Sequence, residues 1–114
     1  MTIVRINPDN RWSDAIIHNG TLYSTFVPEN PQGSAFEQTT NILAQIDALL
    51  LDRGSDKSRL IDVTVFLADK ADFSAMNQAW DTWVIAGKAP VRCTVEAALM
   101  KPEWKVEIKV VAAI

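Results

Sequence analysis

Two runs near the end of the chain alternate apolar and polar residues. Val91, Cys93, Val95, Ala97 and Leu99 share one parity, and Arg92, Thr94, Glu96 and Ala98 share the other. After a break at Met100-Lys101-Pro102-Glu103, Trp104, Val106, Ile108 and Val110 alternate with Lys105, Glu107 and Lys109. A period of two marks half-buried strands. The break holds a proline and is short enough for a hairpin loop, so the two runs are expected to pair antiparallel. Matched faces would then put Arg92 and Glu107 together on the non-core side of neighbouring strands. Cys93 has the parity of Val91 and Val95 and is expected to be a small buried hydrophobe rather than a reactive thiol.

The same patterning divides the rest of the chain. Thr2 to Ile6 is a short β-branched strand that ends at the turn cluster Asn7-Pro8-Asp9-Asn10. Trp12 to Ile17 and Thr21 to Val27 flank His18-Asn19-Gly20. Asn-Gly readily takes the positive φ of a type I′ hairpin turn, which makes His18 a solvated turn residue. Pro28 to Gly33 is a loop. Ser34 and Glu37 then form a capping box, and the apolar spacing predicts a helix from about Ala35 to Asp52 that stops at Gly54. Leu60 to Leu67 is a strand with Ile61, Val63, Val65 and Leu67 on one face. Asp69 is an expected N-cap for a second helix traced by Phe73, Met76, Trp80, Trp83 and Val84 and ending at Gly87. The order β-β-β-α-β-α-β-β predicts a two-layer α/β sandwich with both helices on one face of a sheet. The uncovered face is expected to mix Thr64, Arg92, Thr94, Glu96, Glu107 and Lys109 with Leu60, Phe66 and Ala98. Such a face suits burial against other copies in a closed symmetric oligomer.

Composition narrows the function classes. A chain of 114 residues is one domain, here 1–114, with 48% hydrophobic and 22% charged residues. The formal net charge of −3 supplies no basic footprint for nucleic acid and no polybasic run for an anionic membrane. One cysteine forbids an internal disulfide and fits a reducing compartment. No apolar run has the length of a membrane span or a signal peptide, so a cytoplasmic protein is expected. One His and one Cys give no metal constellation, and the four glycines are too scattered for a phosphate loop.

Several stretches resemble the RidA family, also called YjgF or RutC-like, and its small YoaB-type members. Ala89-Pro90-Val91-Arg92-Cys93-Thr94-Val95-Glu96 resembles the family signature P-x-R-[ST]-x-V-E, and Val106-Glu107-Ile108-Lys109-Val110-Val111-Ala112 resembles V-E-I-E-x-I-A. Phe36-Glu37-Gln38-Thr39-Thr40 is similar to the family's start of its first helix. Val65 to Asp69 and Phe73 to Asn77 are similar to its fourth strand and second helix. The resemblance implies a chorismate-mutase-like fold and a homotrimer with clefts between subunits. For catalytic members it implies hydrolysis of enamines and imines, such as 2-aminoacrylate, to a keto acid and ammonia, with no metal or organic cofactor. It further implies that Arg92 holds the substrate carboxylate and that Glu107 positions water. Trp12, Phe26, Cys93 and Thr94 would line the cleft.

The chain also departs from that pattern. Asn10-Arg11-Trp12-Ser13 stands where catalytic members carry glycine-proline-tyrosine-serine, and an indole donates one hydrogen bond but accepts none. Ser24-Thr25-Phe26-Val27 stands in place of T-S-G-Q, so Phe26 replaces a glycine. Two functions from different classes therefore remain open: a deaminase, or a non-catalytic module that binds small carboxylates through Arg92. The guanidinium fork suits a carboxylate bidentately. The plain structural alternative is an ion pair of Arg92 with Glu96, Glu107 or a neighbouring subunit.

Overall fold

The computed structural model describes residues 2–114. Its elements are β1 (Val4–Ile6), β2 (Ala15–His18), β3 (Thr21–Phe26), α1 (Ala35–Asp52), β4 (Leu60–Leu67), α2 (Phe73–Trp83), β5 (Val91–Glu96) and β6 (Val106–Ala113). The six strands form one sheet in the order β1-β2-β3-β6-β4-β5. Both helices cover one face. Ile42, Leu43, Ile46 and Leu50 of α1 and Met76, Ala79 and Trp80 of α2 pack on Leu22, Val63, Val65, Leu67, Val106, Ile108 and Val110 of the sheet.

Local chemistry sets the element ends. Asn19 (φ 54°) and Gly20 (φ 72°) take the two positive dihedrals that a type I′ turn requires between β2 and β3. Helix α1 begins at a complete capping box: the Ser34 hydroxyl accepts the Glu37 amide, and the Glu37 carboxylate accepts the Ser34 amide. Asp69 caps a short 3-10 turn, Lys70–Asp72, that leads into α2, rather than capping α2 itself. Gln38 is buried on α1 and joins three segments. Its amide donates to the carbonyls of Pro31, Gly33 and Glu103, and its Oε1 accepts the Lys105 amide at 2.8 Å.

The expected hairpin between the last two strands does not form. β4 lies between them, parallel to β5 and antiparallel to β6. The connection from Ala97 to Lys105 instead crosses the end of β4, fastened by Ala97 N–H to the Leu67 carbonyl and Ala68 N–H to the Lys105 carbonyl. A helical crossover places β5 parallel to the strand before it, and β4 is apolar enough to be paired on both edges.

This topology reverses the faces of β5. Its register sets Arg92 beside Val63, Thr94 beside Val65 and Glu96 beside Leu67, on the helix side of the sheet. Val91, Cys93 and Val95 therefore point to the uncovered face; Val91 is 72% exposed and Val95 40%, and Cys93 is exposed rather than buried. The polar set is tolerated on the helix side because β5 is an edge strand at the margin of α2, where Arg92 spreads across Trp80. Strand β4 carries a second correction. A register irregularity between Leu60 and Asp62 turns Leu60 into the core and leaves Ile61 48% exposed.

Candidate functional site

Glu107 sits on the uncovered face of β6, opposite Phe66 of β4. It is half-buried, and its Oε2 accepts the Thr25 hydroxyl from β3 at 2.9 Å. Thr25 is paired with Lys109 in the register, so the Glu107 contact runs diagonally across the two strands. The hydroxyl fixes one carboxylate oxygen. No hydrogen bond among the described residues engages Oε1, which is left to accept from water or a ligand. Thr25 is a site residue that the strand pattern alone did not single out. The signal was present in its parity, which it shares with Tyr23 on the uncovered face.

Arg92 is on the opposite face. Its guanidinium carbon lies 5.1 Å from the centre of the Trp80 ring, and Nη1 is 3.7 Å from the Met76 sulfur. A cation over an indole face is a favourable and orienting contact. Among the described residues, Arg92 pairs with no carboxylate: the one ion pair joins Arg53 to Asp52. Glu96, offered by the sequence as a partner, instead accepts the Lys70 amide at 2.8 Å. The guanidinium thus keeps its donors free of any carboxylate, with Nη1 resting against the Met76 sulfur, while its plane is held by packing.

The remaining residues fall into separate places. Thr94 shares the helix-side face with Arg92, two residues along β5, and Cys93 lies between them on the other face. Phe26 ends β3 on the helix side and packs against the core, away from the uncovered face. Trp12 is 64% exposed on the β1–β2 loop. The Asp9 carboxylate shapes that loop by accepting the amides of Trp12 at 2.9 Å and Arg11 at 2.7 Å. These two bonds, Trp12's first, hold the Asp9 pKa below its ordinary 3.8.

The same loop walls a shallow hollow of about 190 Å³ on the uncovered face, where Ser13, Asp14, Tyr23, Thr25 and Lys109 join Ala15, Ile16 and Ser24. A second hollow, about 180 Å³, lies on the outer helical layer between Leu43, Lys57, Thr82 and Trp83. Among the described residues, no group of three His, Cys, Asp or Glu side chains converges to hold a metal ion. Among the described residues, no helix is long and apolar enough to cross a membrane.

A mixed six-stranded sheet with two helices on one face places the chain among small α+β proteins with the chorismate-mutase-like fold. The family model described as Endoribonuclease L-PSP matches residues 2–114, and the chain belongs to that family. It is 67% identical to the RutC family protein YoaB of Escherichia coli (strain K12) over 114 residues, covering 100% of both. A solved member of the YjgF protein family from Neisseria meningitidis superposes with a TM-score of 0.93 at 46% identity, covering 99% of this chain and 95% of the other. The Rid-family protein YyfA of Yersinia pestis, described as of unknown function, superposes with a TM-score of 0.85 at 31% identity, covering 94% and 90%. The resemblance carried by the two strand signatures is thereby borne out.

Proposed function

We propose that this chain hydrolyses small enamines and imines that bear a carboxylate, releasing a keto acid and ammonia, at clefts between the subunits of a homotrimer. The observation that carries this reading is the placement of Arg92 and Glu107 on opposite faces of one sheet, each with unused hydrogen-bonding capacity. One copy cannot direct both groups at one small molecule. A neighbouring copy that packs its β5 edge against the uncovered face can bring its own Arg92 to this chain's Glu107. That face also has apolar surface to bury: Tyr23, Ile61, Val91 and Val95 are all at least 40% exposed in the single chain.

In this arrangement, Arg92 of one subunit takes the substrate carboxylate with two N–H donors. Glu107 of the next subunit accepts a proton of a water molecule through Oε1, while Thr25 holds Oε2. The water oxygen bonds to the carbon of the C=N group, and the π electrons move to nitrogen, which takes up a proton. The resulting carbinolamine collapses: its hydroxyl proton passes to the amine nitrogen, the C–N bond breaks, and ammonia leaves from the new keto acid. An enamine enters after its β-carbon is protonated to give the imine. Water supplies the oxygen, and no oxidant or reductant is consumed. Orientation and charge placement supply the catalysis, which suits a site without a nucleophilic triad.

A second reading is a non-catalytic carboxylate binder. It is favoured by Trp12, whose indole cannot shuttle a proton. The deciding experiment follows ammonia and keto-acid release from 2-aminoacrylate generated in situ, with wild type, Arg92→Ala and a no-protein control. Release by wild type above both others supports the deaminase. Release equal to the control, beside an active family member that exceeds it, supports the binder.

A further inference from the structure

Lys109 lies on the uncovered face of β6, two residues beyond Glu107, between Thr25 of β3 and Thr64 of β4. It is exposed and joins no ion pair among the described residues. Its side chain lines the hollow of about 190 Å³ with Ser13, Asp14, Tyr23 and Thr25. The polar groups of that hollow are unevenly committed. The Asp14 Oδ2 already accepts the Asn7 amide at 3.1 Å, and the Asp14 carbonyl accepts the Ser24 hydroxyl at 2.6 Å. The Lys109 ammonium and the hydroxyls of Ser13 and Tyr23 make no hydrogen bond to any described residue. Beside the Asp14 Oδ1, what remains free is the two hydroxyls and the Lys109 ammonium, which brings the hollow its one positive charge.

We infer that this hollow is a second anion position of the proposed cleft and that the preferred substrates are imines of diacids with four or five carbons. The inference rests on the deaminase reading for the chemistry, and on Lys109 and its hollow for the second acid group. Two strand steps separate Glu107 from Lys109 by about 7 Å along the backbone. That distance, with the flexible lysine stem, suits an acid group two or three carbons from the carbon that water attacks. Arg92 of the neighbouring subunit holds the carboxylate next to the imine; Lys109, with Ser13 and Tyr23, holds the far one. A monoacid leaves the ammonium without a partner and gains nothing from it.

Two measurements test the inference separately from the reaction. The first compares kcat/KM for 2-iminosuccinate and 2-iminobutyrate, each generated in situ by an amino-acid oxidase. In Lys109→Met, the diacid-to-monoacid ratio is expected to fall about tenfold or more, as for loss of a charged hydrogen bond, and to recover in Lys109→Arg. The second records the rise in Tm produced by succinate and by butyrate. Wild type is expected to be stabilised more by succinate, and Lys109→Met to respond equally to both. If neither imine turns over yet succinate alone stabilises wild type through Lys109, the anion position stands and the deaminase reading falls. If both imines turn over with a ratio unchanged by Lys109→Met, and succinate and butyrate act alike, the anion position is overturned and the deaminase reading stands.

Discussion

Arg92 and Glu107 lie on opposite faces of the sheet, and β4 runs between the strands that carry them. The guanidinium rests on Trp80 under the helical layer, while the carboxylate is held by Thr25 on the uncovered side. A site that uses both must draw them from different copies of the chain.

Assembly is the first consequence. Sedimentation at micromolar concentration is expected to give the mass of a trimer. Val95 is 40% exposed on the uncovered face, so Val95→Asp is expected to place a charge in the contact between copies and yield monomers with unchanged far-UV circular dichroism. A wild-type monomer at that concentration would refute the shared cleft.

Thr25 is expected to act through its hydroxyl rather than its bulk. Thr25→Val keeps the shape and removes the donor to Glu107 Oε2. A loss of about tenfold in kcat is expected, with KM little changed and Thr25→Ser close to wild type. An equal loss in both variants would assign Thr25 to packing alone.

The capping box of α1 gives a pH-dependent prediction. Bonds from the Ser34 amide first, and then from its hydroxyl, hold the Glu37 carboxyl below its ordinary 4.5. A depressed carboxyl contributes stability that is present above the unfolded value and is lost as pH falls through the folded one. The stability difference between wild type and Glu37→Gln is therefore expected at neutral pH and should shrink as pH falls below the ordinary 4.5, followed by Tm across that range. Ser34→Ala should cost about 1 kcal/mol at neutral pH. A Glu37→Gln difference that grew on acidification would contradict the assigned bonds.

Much of this architecture was legible from local signals. The capping box, the Asn19-Gly20 turn and the bounds of α1 and β4 depend on residues close in sequence, and the structure reproduces them. The partner of β5 was not legible. Alternation reports that a strand is half-buried, but not which side its neighbours cover, and Pro102 between two strands looks the same in a hairpin and in a longer crossing. The error carried Arg92 and Cys93 to the wrong faces, because the choice of pairing decides every side chain on the strand. Leu60 and Ile61 exchanged places for a related reason: a bulge adds a residue that periodicity cannot count. Phe26, in place of a glycine, suggested a changed pocket, yet its side chain belongs to the core face. The match to the family signatures was independent of these pairings and survived them.

The most direct measurement mixes two inactive proteins. Arg92→Ala and Glu107→Gln are each expected to lose imine hydrolysis when assembled alone. Unfolded together in equal amounts and refolded, they form mixed trimers in which some clefts join an intact Arg92 from one copy to an intact Glu107 from the next. Random assembly around a three-fold axis gives about a quarter of the clefts that composition, so about a quarter of wild-type activity is expected. Activity that stays at the level of the separate variants, with mixed trimers confirmed by mass, would contradict a site shared between copies.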